Sequence, residues 1–573
     1  MRICRCAFLM CFVAIFSFDG VFAGTTMIVT KGASADGSMI AAHSYNGDLA
    51  DASIVFVPAK DWQAGAVRPV YASAAANGDI TQYNAFLMPR ISDKNRAEGY
   101  NYIGVKRTKP IGYIPQVSHT YAYLDANYGI INEYGLMFGE CSNNSLFANE
   151  PDPNKRIFYG AELSRVALER AQTARQAIEI IGSLVEKYGY YGPGETLALA
   201  DGDEAWVMEI APSPEGKSGL WVAQKVQDGH FFVAAEEFRI RDIVENSSMQ
   251  MRSSNLFTVA EKYKIRKPQD IEQPMDWLLT VSAGEKNHPY YSLRRLWRAF
   301  SLVSPSLKLS PWVKDGYTRD YPFSIKPDKK IKLETIRALY RDHYEETEFD
   351  LTKGIAAGAF GNPNRYFSST DIRNYEQQNI KLEGAWETPI SDSNTLYAYI
   401  SQNKPNMLFG FNAISWIALD TTAESVFVPL AVSQLPEIYG RGNPSAYEAD
   451  SAYWIYNTPA EFANVRYNYI VKDIRERADI YEKNSERIIA ESSKQLLAAA
   501  KADAQKAALE FSKVLNKNAL TVFGEWRNLF FELLVKYNQG YINSLQEMSQ
   551  KEGYSQEWLK KTNYKDGPIN YTR

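Results

Sequence analysis

Residues 24–38 read GTTMIVTKGASADGS, and they predict a β-hairpin at the front of the folded chain. Thr25–Thr30 is rich in β-branched side chains, which favour an extended strand. Asp36-Gly37 favours a tight turn, and Ser38–His43 supplies the return strand. The hairpin therefore predicts an antiparallel sheet that begins almost at residue 24.

The order of elements further along the chain favours a layered α+β fold. Apolar residues recur at helical spacing in Tyr159–Lys187, with Thr173 as the predicted N-cap of a second helix. Strand-like segments follow up to about residue 240. Strands, then helices, then strands argue against a doubly wound parallel sheet. Later in the chain, Ser485–Leu515 and Ala519–Asn543 are predicted to form two facing helices.

Composition excludes several classes of function. The 573 residues carry a net charge of −4, and the sequence lacks the basic face of a nucleic-acid binder. The five histidines never stand four residues apart, so we expect no zinc site. Phosphate-binding and dinucleotide motifs are also missing. The sequence therefore predicts a protein without a metal, an organic cofactor or a nucleic-acid partner.

The first 23 residues are predicted to be a secretory signal peptide. A basic start at Arg2 and Arg5 precedes a twelve-residue apolar run, and Val21 and Ala23 suit signal-peptidase cleavage before Gly24. The run is too short to span a bilayer comfortably, which disfavours a membrane anchor. We therefore expect an exported protein, periplasmic or extracellular, with no membrane association once the signal is removed.

Cleavage before Gly24 would leave one cysteine in the mature chain, Cys141, because the other three lie in the signal peptide. An internal disulfide is then impossible. Cys141 could be a nucleophile, but a buried side chain that acts as a small apolar group is the favoured reading.

The predicted mature N-terminus falls directly at the start of a strand, which is uncommon for a chain terminus. An N-terminal-nucleophile hydrolase needs such a placement. Its first residue supplies the attacking side chain, and its free α-amino group, with a pKa near 8, serves as the base.

Six ordered segments resemble the N-terminal-nucleophile cysteine dipeptidases, the family of bacterial dipeptidase A and the secernins. Members begin Cys-Thr-Thr, continue through an apolar strand and reach an Asp-Gly-Ser turn. Residues 25–38 match this pattern from the first Thr onward. The other matching segments are Asn132–Cys141, Ala161–Ala171, Ala205–Ile210, Arg341–Asp350 with Gly361–Pro363, and Asn464–Tyr469.

The resemblance covers about residues 24–480 and implies a four-layer αββα sandwich, with residues 481–573 as a helical extension. It implies hydrolysis of dipeptide amide bonds through an acyl-enzyme, so the expected partner is a dipeptide or a small amide. The implied reaction needs no cofactor.

Departures from the family pattern fall at the catalytic positions. Gly24 stands where the family has its nucleophilic Cys, and it has no side chain with which to attack. His43 stands where many members carry Arg. Asp48, or Asn46, is the candidate to orient the amine, and Cys141 lies in the segment where related hydrolases place an oxyanion-hole backbone N–H.

A further departure is Glu236, where the family commonly has the Asn that donates to the oxyanion. An ionised Glu only accepts hydrogen bonds and would repel developing negative charge. Loss of one such donor typically costs on the order of 100–1000-fold in rate. Arg239 keeps the family's Arg.

Three interpretations stay open. The chain could be a secreted homologue that binds peptides, or serves structurally, without turnover. Cleavage one residue later could make Thr25 the nucleophile, although Phe22 would then occupy a position that prefers small residues. Finally, a single replacement of Cys by Gly would explain Gly24 but not Glu236.

Overall fold

The computed structural model describes residues 24–562 apart from several internal segments. Residues 1–23, which hold the predicted signal peptide, lie outside the described residues. The other excluded segments are 48–49, 73–90, 102–105, 245–246, 266–273, 286–290, 366–386, 405–406, 408–409, 443–445, 545–546 and 563–573. Asp48 is therefore outside the described part as well.

The described strands are, in chain order, β1 Thr25–Val29, β2 Met39–Asn46, β3 Val55–Val57, β4 Lys60–Asp61, β5 Val67–Tyr71, β6 Pro110–Pro115, β7 His119–Thr120, β8 Tyr123–Asp125, β9 Gly129–Asn132, β10 Met137–Ser142, β11 Glu195–Ala200, β12 Ala205–Pro212, β13 Gly219–Lys225, β14 Phe231–Ala234, β15 Asp242–Ile243, β16 Gln250–Arg252, β17 Met275–Asp276, β18 Ser324–Ile325, β19 Thr395–Asn403, β20 Ala413–Leu419, β21 Val428–Ala431, β22 Tyr541–Ile542 and β23 Gln550–Lys551.

The described α-helices are Gly160–Arg170, Ala174–Tyr188, Leu256–Lys262, Trp277–Val281, Leu293–Val303, Leu333–Tyr340, Ala452–Ala463, Tyr467–Ala502, Ala504–Lys536 and Gln556–Lys561. The mixture of strands and helices confirms the predicted α+β class. Thr173 caps the second helix as predicted, since its side chain accepts a hydrogen bond from the backbone N–H of Gln176.

Two antiparallel sheets dominate the fold. A seven-stranded sheet has the order β18-β14-β1-β2-β19-β20-β21, and an eight-stranded sheet has the order β16-β13-β12-β11-β10-β9-β8-β3. The predicted hairpin is confirmed as β1 and β2, with Thr26 opposite His43 in the register. Gly37 has φ +75° in the turn, a conformation that glycine adopts without steric cost. β1 thus lies inside the sheet, between β14 and β2.

The two sheets pack directly on each other near the start of β1. Residues of both sheets, including Ile28 and Met137, belong to one buried apolar cluster. Gly139 on β10 makes the close approach possible, because a Cβ atom there would lie 2.1 Å from Oγ1 of Thr26. Even-numbered residues of β1 therefore point into the space between the sheets.

Each sheet also packs against a helix on its other face. Met27 of β1 shares a buried cluster with Leu296, on the helix Leu293–Val303. On the other sheet, Phe138 of β10 shares a cluster with Leu163, on the helix Gly160–Arg170. Odd-numbered residues of β1 therefore face helices and not the second sheet.

The C-terminal helices face each other as predicted, but their predicted ends are wrong. The sequence predicted helices over Ser485–Leu515 and Ala519–Asn543, whereas the structure has Tyr467–Ala502 and Ala504–Lys536. The break falls at Asp503, whose side chain accepts a hydrogen bond from the N–H of Lys506. An N-cap therefore interrupts an otherwise continuous helical pattern.

The two long helices run antiparallel. Their contacts pair early residues of one with late residues of the other, as Arg477 pairs with Glu532 and Asp473 with Lys536. The predicted boundary at residue 480 falls inside the first of these helices. Among the described residues, no helix has the length and apolarity to cross a membrane.

Candidate active site

Gly24 is buried at the start of β1. Its backbone N–H donates a 2.6 Å hydrogen bond to Oε1 of Glu236, which lies 212 residues away in the sequence. A Cβ atom at Gly24 would lie 3.2 Å from Cε1 of His43 and 3.3 Å from the carbonyl oxygen of Glu140. The nucleophile position implied by the family resemblance therefore faces the space between the sheets.

Thr25 points the other way, toward the helices. Nη1 of Arg295 donates to Oγ1 of Thr25 and to the carbonyl oxygen of Gly24, both at 3.1 Å. The hydroxyl of Tyr340 donates to the carbonyl oxygen of Thr25 at 3.0 Å, and the N–H of Thr25 donates to Oγ of Ser44 at 3.2 Å. These contacts fix Gly24 and Thr25 from the helical side.

His43 lies fully buried between the sheets. Its Nε2 is 3.2 Å from Oε1 of Glu140, but neither ring nitrogen has a partner with hydrogen-bond geometry among the described residues. Burial lowers the pKa of His43 to about 3, so its imidazole is neutral near pH 7. The ring also packs against Tyr399, at a centroid distance of 5.4 Å.

Two buried carboxyl groups, Glu140 on β10 and Glu195 on β11, accompany His43. Burial is the main cause that raises the pKa of Glu140 well above its usual value and the pKa of Glu195 to about 7. The hydroxyl of Tyr128 donates to Oε2 of Glu195 at 3.1 Å. Both carboxyl groups therefore favour the protonated form more than an exposed glutamate does.

Cys141 is buried in β10 with no exposed surface, which agrees with its predicted apolar role. Its sulfur lies 4.0 Å from Oδ1 of Asn143. Burial raises the pKa of the thiol well above its usual value, although the backbone N–H of Glu236 acts in the opposite direction. A thiol held neutral in this way is a poor nucleophile.

Glu236 has an unusual backbone conformation, with φ +61°. A non-glycine residue in this region carries local strain of about 1–2 kcal/mol. The hydroxyl of Ser292 lies 3.5 Å from the carbonyl oxygen of Glu236. The strained turn directs this carboxylate to the backbone of Gly24.

Arg239 lies three residues further on but contacts another segment. Its Nη2 donates to the carbonyl oxygens of Pro322, at 2.7 Å, and Tyr321, at 3.3 Å. Its backbone N–H donates to Oε1 of Glu209 at 2.5 Å. These contacts give Arg239 a role in holding the turn that carries Glu236.

Asn46, the alternative to Asp48 for orienting the amine, ends β2. Its Oδ1 accepts a hydrogen bond from Oγ1 of Thr395 at 2.8 Å, across the pairing with β19. Asp48 lies outside the described residues, so its role stays a prediction.

The structure places Gly24, His43, Cys141 and Glu236 close together, and it adds residues that sequence reasoning missed. The added residues are Ser44, Glu140, Glu195, Arg295 and Tyr340. Glu140 lies within the matching segment Asn132–Cys141, but that match gave it no role in the site. Among the described residues, no group of three or more His, Cys, Asp or Glu side chains could hold a metal ion.

The sequence profile of Peptidase family C69 matches residues 125–479, more than half of the chain. The protein belongs to Peptidase family C69, which confirms the predicted family. The match begins at the end of β8, so the hairpin with Gly24 precedes it.

Curated relatives carry dipeptidase names. A probable dipeptidase of Latilactobacillus sakei is 23% identical over 453 residues, which cover 77% of this chain and 81% of that protein. A probable dipeptidase of Salmonella dublin is 26% identical over 268 residues, covering 47% of this chain and 53% of that protein.

Among solved structures, penicillin V acylase from Agrobacterium tumefaciens aligns over 72% of this chain and 87% of its own, with 8% identity and a TM-score of 0.27. A similarity this weak supports no conclusion about the site.

Proposed function

We propose that this chain is a C69-family protein directed at dipeptides, which it binds between the two sheets beside Gly24 without covalent turnover by an N-terminal side chain. Family membership and the dipeptidase names of its relatives support the ligand class. The observation that carries the proposal is the direction in which a side chain at position 24 would point. The position that would hold a nucleophile faces His43 and Glu140, but it has no side chain.

The contacts of Thr25 disfavour it as a substitute nucleophile. Its Oγ1 is bound by Arg295 on the helical side of β1, away from His43 and Glu140. Thr25 is also fully buried. A threonine nucleophile would need a different orientation of the first strand residue.

The four-layer αββα arrangement is part of the proposal. The cluster shared by both sheets supports the two inner layers, and the clusters that join each sheet to helices support the two outer layers. Between the inner layers lies the proposed binding site.

We also infer export, with cleavage before Gly24, from the composition of residues 1–23. The mass of the N-terminal peptide of the secreted protein tests this inference. A peptide that retains any of residues 1–23, or that begins at Thr25, contradicts it.

The function is tested with a dipeptide panel, in which both binding and turnover are measured on the secreted protein. We expect wild type to bind at least one dipeptide without hydrolysing it, and Gly24→Cys to gain turnover when Glu236 is also replaced by Asn. Gly24→Ala is the matched control, because it adds the same Cβ without a thiol. Both variants require neighbours to move by a few tenths of an ångström.

A second comparison addresses the oxyanion donor. We expect Gly24→Cys with Glu236→Asn to exceed Gly24→Cys alone by on the order of 100-fold, because the amide restores a donor. Hydrolysis by wild type that Thr25→Ala abolishes and Thr25→Ser preserves would show that Thr25 is the nucleophile and that the proposal is wrong.

A further inference from the structure

Cleavage before Gly24 would change the donor in the contact between Gly24 and Glu236. The atom that donates to Oε1 of Glu236 at 2.6 Å would then be an α-amino nitrogen. Both residues are buried, and 8% of the Glu236 surface is exposed. An amine and a carboxylate at this distance form an ion pair that is only weakly screened by solvent and salt.

Titratable and charged groups lie on the elements that surround Gly24 and Glu236. They are His43 on β2, Glu140 and Cys141 on β10, Glu195 on β11, Tyr399 on β19, Glu236 and Glu237 in the turn after β14, Tyr291 and Arg295 at the helix Leu293–Val303, and Tyr340.

Most of these groups are uncharged near neutral pH. His43 is neutral because burial lowers its pKa to about 3. Burial raises the pKa of Glu140 well above its usual value, which favours its protonated form. Arg295 is the nearby cation, but its guanidinium is bound to the carbonyl side of Gly24. Glu236 is the carboxyl group that directly contacts the nitrogen.

We propose that Glu236 holds the mature α-amino group of Gly24 as an ammonium ion, which cannot serve as the general base of an N-terminal-nucleophile reaction. The inference rests on the proposed mature N-terminus at Gly24. Glu236 is a positioning residue here: it acts on the amine and not on a substrate. The chain has then lost its base as well as its nucleophile, because a protonated amine has no lone pair with which to accept a proton.

The ionisation of the amine can be measured by trace acetylation of the secreted protein with acetic anhydride between pH 6 and 10. Trypsin then releases the peptide Gly24–Lys31, and mass spectrometry reports its acetylated fraction. Only the free amine reacts, so the midpoint of the pH profile reports the pKa. Restricted access of the reagent lowers the plateau of the profile and leaves the midpoint unchanged.

We expect the midpoint of the folded protein to lie at least about one unit above that of the same peptide in urea-unfolded protein, because an opposite charge at this distance shifts a pKa by about 1–3 units. Glu236→Gln should lower the midpoint by about one unit or more. The matched control is Glu133→Gln, because Glu133 also accepts a backbone N–H through Oε1, from Ala122 at 2.8 Å. This control should leave the midpoint unchanged.

Glu236→Asn is a second neutral variant for the case in which Glu236→Gln does not fold, and Glu236→Asp should keep a raised midpoint. Equal midpoints in folded and unfolded protein, or a raised midpoint that neither neutral variant lowers, would overturn the ion pair. A peptide that begins at another residue contradicts the proposed N-terminus, and its mass separates that outcome from the others.

Discussion

Nη1 of Arg295 lies 3.1 Å from Oγ1 of Thr25, and this contact fixes the first strand to the helix Leu293–Val303. The same nitrogen binds the carbonyl oxygen of Gly24. The side chain of Thr25 therefore lies on the face of β1 that packs against the helices. This relationship separates the two residues that sequence analysis left as alternative nucleophile positions.

Arg295→Met should destabilise the protein by about 3 kcal/mol or more. It removes several hydrogen bonds from a charged donor, each worth about 1.5–3 kcal/mol, including the 2.8 Å bond from Nε to the carbonyl oxygen of Tyr291. Arg295→Lys keeps the charge and should recover part of the loss. Urea unfolding measures both, and a loss below about 1 kcal/mol in Arg295→Met would show that the contact is unimportant.

Gly139→Ala should destabilise the protein by about 2 kcal/mol or more, because its methyl group would lie 2.1 Å from Oγ1 of Thr26 and push the two sheets apart. Gly524→Ala is the control. Gly524 lies within the helix Ala504–Lys536 with no atom within 4 Å of the added Cβ, so alanine should stabilise by up to about 1 kcal/mol. Thermal unfolding of both variants tests the pair, and a neutral Gly139→Ala would contradict the close approach.

Glu482→Ala should cost about 3–5 kcal/mol, the usual result of breaking a buried ion pair. Glu482 is buried on the helix Tyr467–Ala502, binds Nη2 of Arg341 at 2.5 Å and accepts the N–H of Phe427 at 2.9 Å. The exposed pair of Arg487 and Glu491 is the control, and Arg487→Ala should change stability by less than about 1 kcal/mol. Similar losses in both variants would mean that burial does not set the strength of the Glu482 contacts.

Glu237→Gln should make stability less dependent on pH. Burial raises the pKa of Glu237 in the folded protein to about 8 from 4.5. Its stabilising contribution is therefore complete below pH 4.5 and is lost as the pH rises through 8. We expect Glu237→Gln to gain more than about 2 kcal/mol relative to wild type between pH 5 and pH 9.

Denaturant unfolding at both pH values measures this gain, with the exposed Glu179→Gln as the baseline. Parallel stability curves for wild type and Glu237→Gln would show that Glu237 does not ionise in this range.

Short sequence patterns predicted the elements that depend mainly on neighbouring residues in the chain. The β-branched run and Asp36-Gly37 were enough for the hairpin, and Thr173 was enough for a helix start. The break at Asp503 was missed because Asp within an Ala- and Lys-rich helix can be either an interior residue or a cap. Antiparallel packing of the two long helices selects the cap.

The sequence indicated only some of the residues of the candidate site. Family resemblance brought Gly24, His43 and Glu236 together, but it gave no reason to add Arg295 or Glu195. Arg295 reaches Gly24 across 271 residues of sequence, and such contacts depend on how helices and sheets pack. Spacing along a sequence does not encode them.

The position of β1 and β2 inside the seven-stranded sheet has a consequence for how the chain acquires its structure. β1 needs β14, whose residue Ala234 lies opposite Thr26, and β2 needs β19, where Ala398 lies opposite Ser44. The first hairpin made must therefore leave both of its edges unpaired until hundreds of later residues have been synthesised. High contact order of this kind slows folding and exposes strand edges to association with other chains. Variants that weaken β19 should thus reduce the yield of folded protein before they affect any property of the finished site.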